Sequence, residues 1–162
     1  GKYEKIILSR ANVGTGRTLG AFPGTVQEKM APWLMPITTV LEDCFGKSFY
    51  NYLIAKEAIE IQPLETIRGR SYKDALVIVD ECQNLTIEEL KAVTTRLGEN
   101  SKMVLCGDPA QSDTNNGTGI LTLVKMCQRN GIKIPIVEFT SDDVVRSDIV
   151  GQLVKMFEKE KL

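Results

Sequence analysis

The sequence has 162 residues, the size of one domain, and its 43% hydrophobic and 25% charged content suits a globular chain with one sizeable core. Lys+Arg 20 against Asp+Glu 21 leaves a formal charge of -1, so nucleic acid would meet a local patch and not a generally basic surface. No apolar run approaches the ~20 residues of a membrane span, and Gly1-Lys2-Tyr3-Glu4-Lys5 does not read as a signal peptide. Histidine is absent, which removes Ser-His-Asp and Cys-His catalysis. Cys44, Cys82, Cys106 and Cys127 form no C-x-x-C pair, which argues against a zinc site and for reduced thiols in a cytoplasmic setting.

In chain order, Lys5–Ser9 reads as a short buried strand, and Gln27–Phe45 as a helix that bends or splits at Pro32 and Pro36. Ala58–Gln62 alternates like a strand and stops at Pro63. Ala75–Val79 is a continuous apolar run ending at Asp80-Glu81, and Lys102–Cys106 repeats that design before Gly107-Asp108. Between them Thr86-x-x-Glu89 predicts a capping box, with Leu85 and Leu90 placed as a hydrophobic staple. Thr118–Asn130 has helical spacing closed by Gly131, Pro135–Phe139 is a fifth candidate strand, and Asp148–Lys161 is an amphipathic helix. Val/Ile/Leu runs that do not alternate imply strands covered on both faces. The expected fold is therefore α/β, a three-layer parallel sheet of about five strands flanked by helices.

Ligands of such sheets bind beyond the carboxyl ends of the strands. Two strands here end in acidic residues. Leu76-Val77-Ile78-Val79-Asp80-Glu81 has the form of a Walker B motif, with Asp80 placed to coordinate Mg²⁺ and Glu81 to polarise the water attacking a γ-phosphate. Gly107-Asp108-Pro109-Ala110-Gln111 brings a carboxylate and an amide to the same edge, where the amide can sense the γ-phosphate or hold the lytic water. Singly, each also reads as a solvated loop or an Asp-Pro turn. Together they resemble motifs II and III of superfamily-one helicases, DExQ and GDxxQ. Arg68, Arg70 and Arg146 add donors for phosphate. Ala11–Thr18 almost spells a phosphate-binding loop, but Ala11 and Arg17 stand where glycine and lysine are needed.

The chain resembles the PhoH-like family of P-loop ATPases, especially its phage-borne members. The residues that carry the resemblance are Ile6–Arg10, Thr18–Gly24, Glu28–Leu34, Arg68-Gly69-Arg70, Val79–Asn84 and Thr95–Gly98, followed by Ser101–Val104, Gly107-Asp108-x-x-Gln111-x-Asp113 and Phe139-Thr140-x-x-Asp143–Ser147. Ala11, Cys82 and Ser147 depart from the family's usual proline, alanine and histidine. The resemblance implies a single RecA-like domain over 1–162 whose Walker A strand, loop and helix would precede Gly1. It implies binding and hydrolysis of ATP with Mg²⁺, action on RNA or single-stranded nucleic acid in a helicase-like manner, and a homo-oligomeric ring in the intact protein. Asp80 is then expected to hold the metal, Glu81 to activate water and Gln111 to sense the γ-phosphate with Asp108 in support. Arg146 is expected to stabilise phosphate charge, and Arg10 and Arg70 to contact phosphate or nucleic acid. Two other readings stay open: a catalytically silent nucleic-acid- or partner-binding fragment without a P-loop, and a fragment with no function of its own.

Overall fold

The structure is a computed structural model that describes residues 2–11, 26–67, 69–112, 119–143, 145 and 147–160. Four parallel strands form one sheet: β1 (Lys5–Arg10), β2 (Ile59–Ile61), β3 (Ala75–Asp80) and β4 (Lys102–Leu105), in the order β2-β1-β3-β4. The pairing aligns Ile6 with Ile59, Lys5 with Ala75 through Arg10 with Asp80, and Leu76 with Lys102 through Val79 with Leu105. All four carboxyl ends therefore lie along one edge of the sheet.

Helices α1 (Val26–Phe45) and α2 (Lys47–Ala55) cover one face, where Leu8, Tyr50 and Ile59 pack with Ile37, Leu41, Leu53 and Ile78. The short helix α3 (Leu64–Ile67) adds Ile67 to the core on the other face. There α4 (Ile87–Thr94) and α5 (Gly119–Arg129) close over Ile7, Ala75, Val77, Val79 and Cys82. Alternate residues of β3 thus serve different layers, which is why its run is apolar throughout.

Local chemistry fixes the α4 start. Thr86 Oγ1 accepts from the Glu89 N–H at 3.2 Å while Glu89 Oε2 accepts from the Thr86 N–H at 2.9 Å. Leu85 and Leu90, the staple pair, are both buried in the core. At the end of α5, Gly131 has φ 69, and the Ile132 and Gly131 N–H groups bond back to Cys127 and Gln128. This is the Schellman arrangement, in which glycine takes the left-handed position without a Cβ penalty.

Three expectations are corrected. The helix containing Pro32 and Pro36 runs unbroken from Val26 to Phe45, and both prolines lie exposed on it. Each proline removes one backbone bond there, but Ile37 and Leu41 on the buried side hold the helix to the sheet. The break comes instead at Gly46, whose φ of 78 no β-carbon residue readily takes, and α2 begins there as a separate helix the periodicity did not predict.

The third correction is Pro135–Phe139, which forms no strand. Strand structure needs a neighbour for its backbone groups, and among the described residues β4 pairs on its β3 side alone. Residues 132–139 lie open, outside any helix or strand, with Val137 77% and Phe139 80% exposed. Helix α6 (Asp148–Glu160) likewise leaves Ile149, Leu153, Met156 and Phe157 uncovered.

Leu90 is fully buried between α4 and the sheet. Leu90→Ala is expected to destabilise the fold by about 2–5 kcal/mol, through lost transfer energy and the cavity left behind. Urea unfolding followed by circular dichroism measures this. A midpoint equal to that of the parent chain would mean α4 does not close the core.

Candidate functional site

The site grows from the pairing of β1 with β3. Arg10 stands directly opposite Asp80 in the register, so the last residues of the two strands share the carboxyl edge. Immediately beyond, Glu81 takes a left-handed backbone conformation with φ 56 and ψ 34. That conformation is strained for a residue with a β-carbon and turns the chain abruptly into the 3₁₀ turn Cys82–Asn84.

Arg10 gathers the two carboxylates. Its Nη2 donates to Glu81 Oε1 at 2.7 Å, its Nη1 lies 3.4 Å from Asp80 Oδ2, and Nη1 also donates to the Trp33 carbonyl at 2.8 Å. All three side chains are about a quarter exposed, so the pairing is partly shielded from water. The Trp33 contact ties the cluster to α1.

The end of β4 supplies the second turn. The Cys106 N–H donates to Val79 O and the Cys82 N–H to Cys106 O, both at 2.8 Å, carrying the sheet pairing on past its named strands. Asp108 then caps the 3₁₀ turn Pro109–Gln111, accepting from Ala110 N–H at 3.0 Å through Oδ1 and from Gln111 Nε2 at 2.7 Å through Oδ2. Gly107 lies so close to the neighbouring turn that a β-carbon there would meet Gln83 Oε1 at 2.7 Å and Gln83 N at 2.9 Å. Only glycine lets the two turns approach this closely.

Beneath them, burial pushes the Cys82 thiol up to about 12, and neighbouring Cys106 pushes it the same way. The Cys106 thiol is also raised, first by burial and then by the charge of Asp80. Both stay protonated at neutral pH and act as packing groups, not as nucleophiles.

The structure thus brings Arg10, Asp80 and Glu81 into one cluster and sets Asp108 and Gln111 on the adjacent strand end. Arg70 is elsewhere. It donates to Glu60 Oε2 at 2.8 Å on the outer strand β2, where Lys5 Nζ also pairs with Glu60. Arg146, Arg68 and the near-miss loop from Asn12 to Thr18 lie outside the described residues. One residue carries no role in the sequence reading and yet occupies the centre of the cluster: Gln83, with 2% exposure. Its signal was the last letter of DExQ.

A single magnesium ion suits this donor set. Mg²⁺ keeps several waters and takes one or two carboxylates plus phosphate oxygens, and Asp80 offers one carboxylate at the open end of a strand. Among the described residues no group of three or more Cys, Asp or Glu side chains converges to enclose an ion.

A parallel sheet with a Walker B-like strand end beside a capped Asp–Gln turn defines an α/β protein of the RecA-like P-loop NTPase kind. Comparison with known proteins narrows the class, since residues 1–158 match the family described as PhoH-like protein. This chain belongs to the PhoH-like family, a family of P-loop ATPases. It is 38% identical to the PhoH-like protein of Bacillus subtilis strain 168 over 161 residues, 99% of this chain and 50% of that protein. It is 36% identical to Protein PhoH of Escherichia coli K12 over 148 residues, 89% of this chain and 42% of that one. Protein PhoH2 of B. subtilis is 44% identical over 117 residues, 70% of this chain and 26% of that protein. The chain spans about half the length of the first two.

Glu60 provides a test of the electrostatics at the β2 edge. Burial alone would raise its carboxyl, but the hydrogen bonds and charges of Lys5 and Arg70 outweigh it and hold Glu60 below its ordinary value. The folded state therefore gains stability above the unfolded pKa of about 4.3 and loses it as pH falls through the lower folded value. Urea midpoints measured from pH 6 to pH 3 should fall less steeply for Glu60→Gln than for the parent chain. Equal slopes would show that the two cations do not act on Glu60.

Proposed function

We propose that this chain carries the metal-binding and water-activating part of a Mg²⁺-dependent ATPase that acts on RNA or single-stranded nucleic acid in a helicase-like manner. One observation carries the reading: Asp80 and Glu81 leave β3 beside the Asp108–Gln111 turn of β4, on the edge where parallel sheets bind ligands. Family membership supports it.

Asp80 would hold the magnesium ion that accompanies the nucleotide. Bound magnesium supplies charge neutralisation to the developing phosphoryl transition state. Glu81 accepts a proton from the attacking water, at a left-handed backbone position immediately past the strand end. Gln111, held by Asp108, donates to the γ-phosphate or positions the water. Arg146 neutralises charge on the transferring group, across a subunit boundary if the intact protein forms a ring. Arg10 and Arg70 contact phosphate or nucleic acid. Arg10 would do so by exchanging a carboxylate partner for a phosphate, since its guanidinium now spans Glu81, Asp80 and Trp33 O. We assign the protein to the cytoplasm on its unpaired thiols.

A second reading has its own support. Ile132, Ile136, Val137, Phe139, Ile149 and Phe157 all stand exposed. Such a surface fits a catalytically silent module that binds nucleic acid or a protein partner.

Titration with a fluorescent ATP analogue separates the two. Saturable, Mg²⁺-dependent binding is expected, and Asp80→Ala should abolish it. Glu81→Gln should preserve binding within a few-fold and reduce turnover by about 10²–10⁴. Absence of binding to a folded sample would leave the binding module, and normal turnover in Glu81→Gln would remove the water-activating role.

A further inference from the structure

Glu81 is held at both of its carboxylate oxygens. Arg10 Nη2 occupies Oε1 at 2.7 Å, and Gln83 Nε2 donates to Oε2 at 2.6 Å. The other end of the same Gln83 amide accepts the Asp108 N–H through Oε1 at 3.1 Å. The two neighbours fix the amide's orientation independently. A backbone N–H demands an oxygen on one side, and a carboxylate demands an N–H on the other. Gln83 is 2% exposed, so no water competes for either bond.

The backbone around it is equally committed. Ser112 Oγ donates to the Gln83 carbonyl at 3.2 Å, adding a second link from the β4 turn to this residue. Gly107 presses on the amide oxygen at a distance that excludes any β-carbon. Asp108, in turn, sets Gln111 through its side chain. One buried amide therefore connects the turn bearing Gln111 to the carboxylate of Glu81.

We propose that Gln83 is a positioning residue that transmits the placement of the Gly107–Gln111 turn to Glu81, so that Glu81 is aimed at water only when that turn is seated. The inference rests on the reading of Glu81 as the water-activating base, and deepens it. A displaced turn withdraws the Asp108 N–H, frees the amide to rotate and leaves Glu81 to Arg10 alone. Ground-state binding by Asp80 does not pass through Gln83, so the effect falls on turnover and not on affinity.

The test uses the whole chain with ¹³C-labelled glutamate. Gln83→Met keeps the volume of the side chain and removes both hydrogen bonds. The expected result is a displaced Glu81 Cδ resonance together with a displaced Asp108 amide resonance. Where turnover is measurable it should fall about 100-fold, with nucleotide affinity within about twofold, as for a misaimed catalytic group.

Gln83→His supplies one donor and one acceptor and should restore turnover above pH ~6.5. It should lose turnover below that pH, when the protonated ring can no longer accept from Asp108. It also serves if the methionine variant does not fold. A Glu81 resonance unchanged in folded Gln83→Met, or in folded Gln83→His below pH ~6.5, overturns the relay. If Glu81→Gln turns over normally while the Glu81 and Asp108 resonances still move together, the base assignment fails and the structural coupling stands.

Discussion

The pairing of β1 with β3 is the constraint on which the rest of this molecule depends. It buries Ile7, Leu8, Val77 and Val79 at the centre of the sheet, and its register sets Arg10 opposite Asp80. A slip of one residue would send Ile7 and Ser9 to the opposite face and separate the guanidinium from the carboxylates. Core packing and site geometry are thus fixed by the same set of backbone bonds. Arg10 is accordingly a member of the acidic cluster first, whatever ligand it later meets.

Much of this architecture is legible in the amino-acid sequence. Three of the four strands announce themselves because parallel strands are covered on both faces and become apolar runs, as Ala75–Val79 does, while β2 shows by the alternation of Ala58–Gln62. The α4 start is legible because capping is a short-range effect between Thr86 and Glu89. The pairing of two acidic strand ends at one edge follows from strand direction alone. The misreadings have a common cause in non-local effects. Proline statistics describe isolated helices, and packing of Ile37 and Leu41 overrides them in α1. Pro135–Phe139 has strand composition, but pairing depends on a neighbour that composition does not reveal. Gln83 is hidden for the same reason: a buried amide gains meaning only from the two turns it joins, which lie 25 residues apart in the chain.

The molecule also divides unevenly between order and exposure. The described residues from 5 to 129 contain two cores on either side of the sheet, closed by α1, α2, α4 and α5. From Ile132 onward, apolar side chains are left facing outward in quantity. Large apolar areas of this kind mark surfaces that are covered in the functional state. The acidic cluster itself belongs to the well-packed part. Its geometry is therefore set by the sheet and not by whatever meets the open surface.

The chain order of the strands carries a consequence for how the protein is made. Among the described strands β1 comes before β2 and β3 in the chain yet sits between them, and Ile6 meets Ile59 and Leu76 only after those have emerged. Of the described strands, β1 is thus the one that waits longest for its neighbours during translation. Helix α1, the next described element, packs on the same core as β1 through Ile37 and Leu41. An early α1–β1 embrace would shelter the strand on one face while leaving its two backbone edges free for the strands still to come.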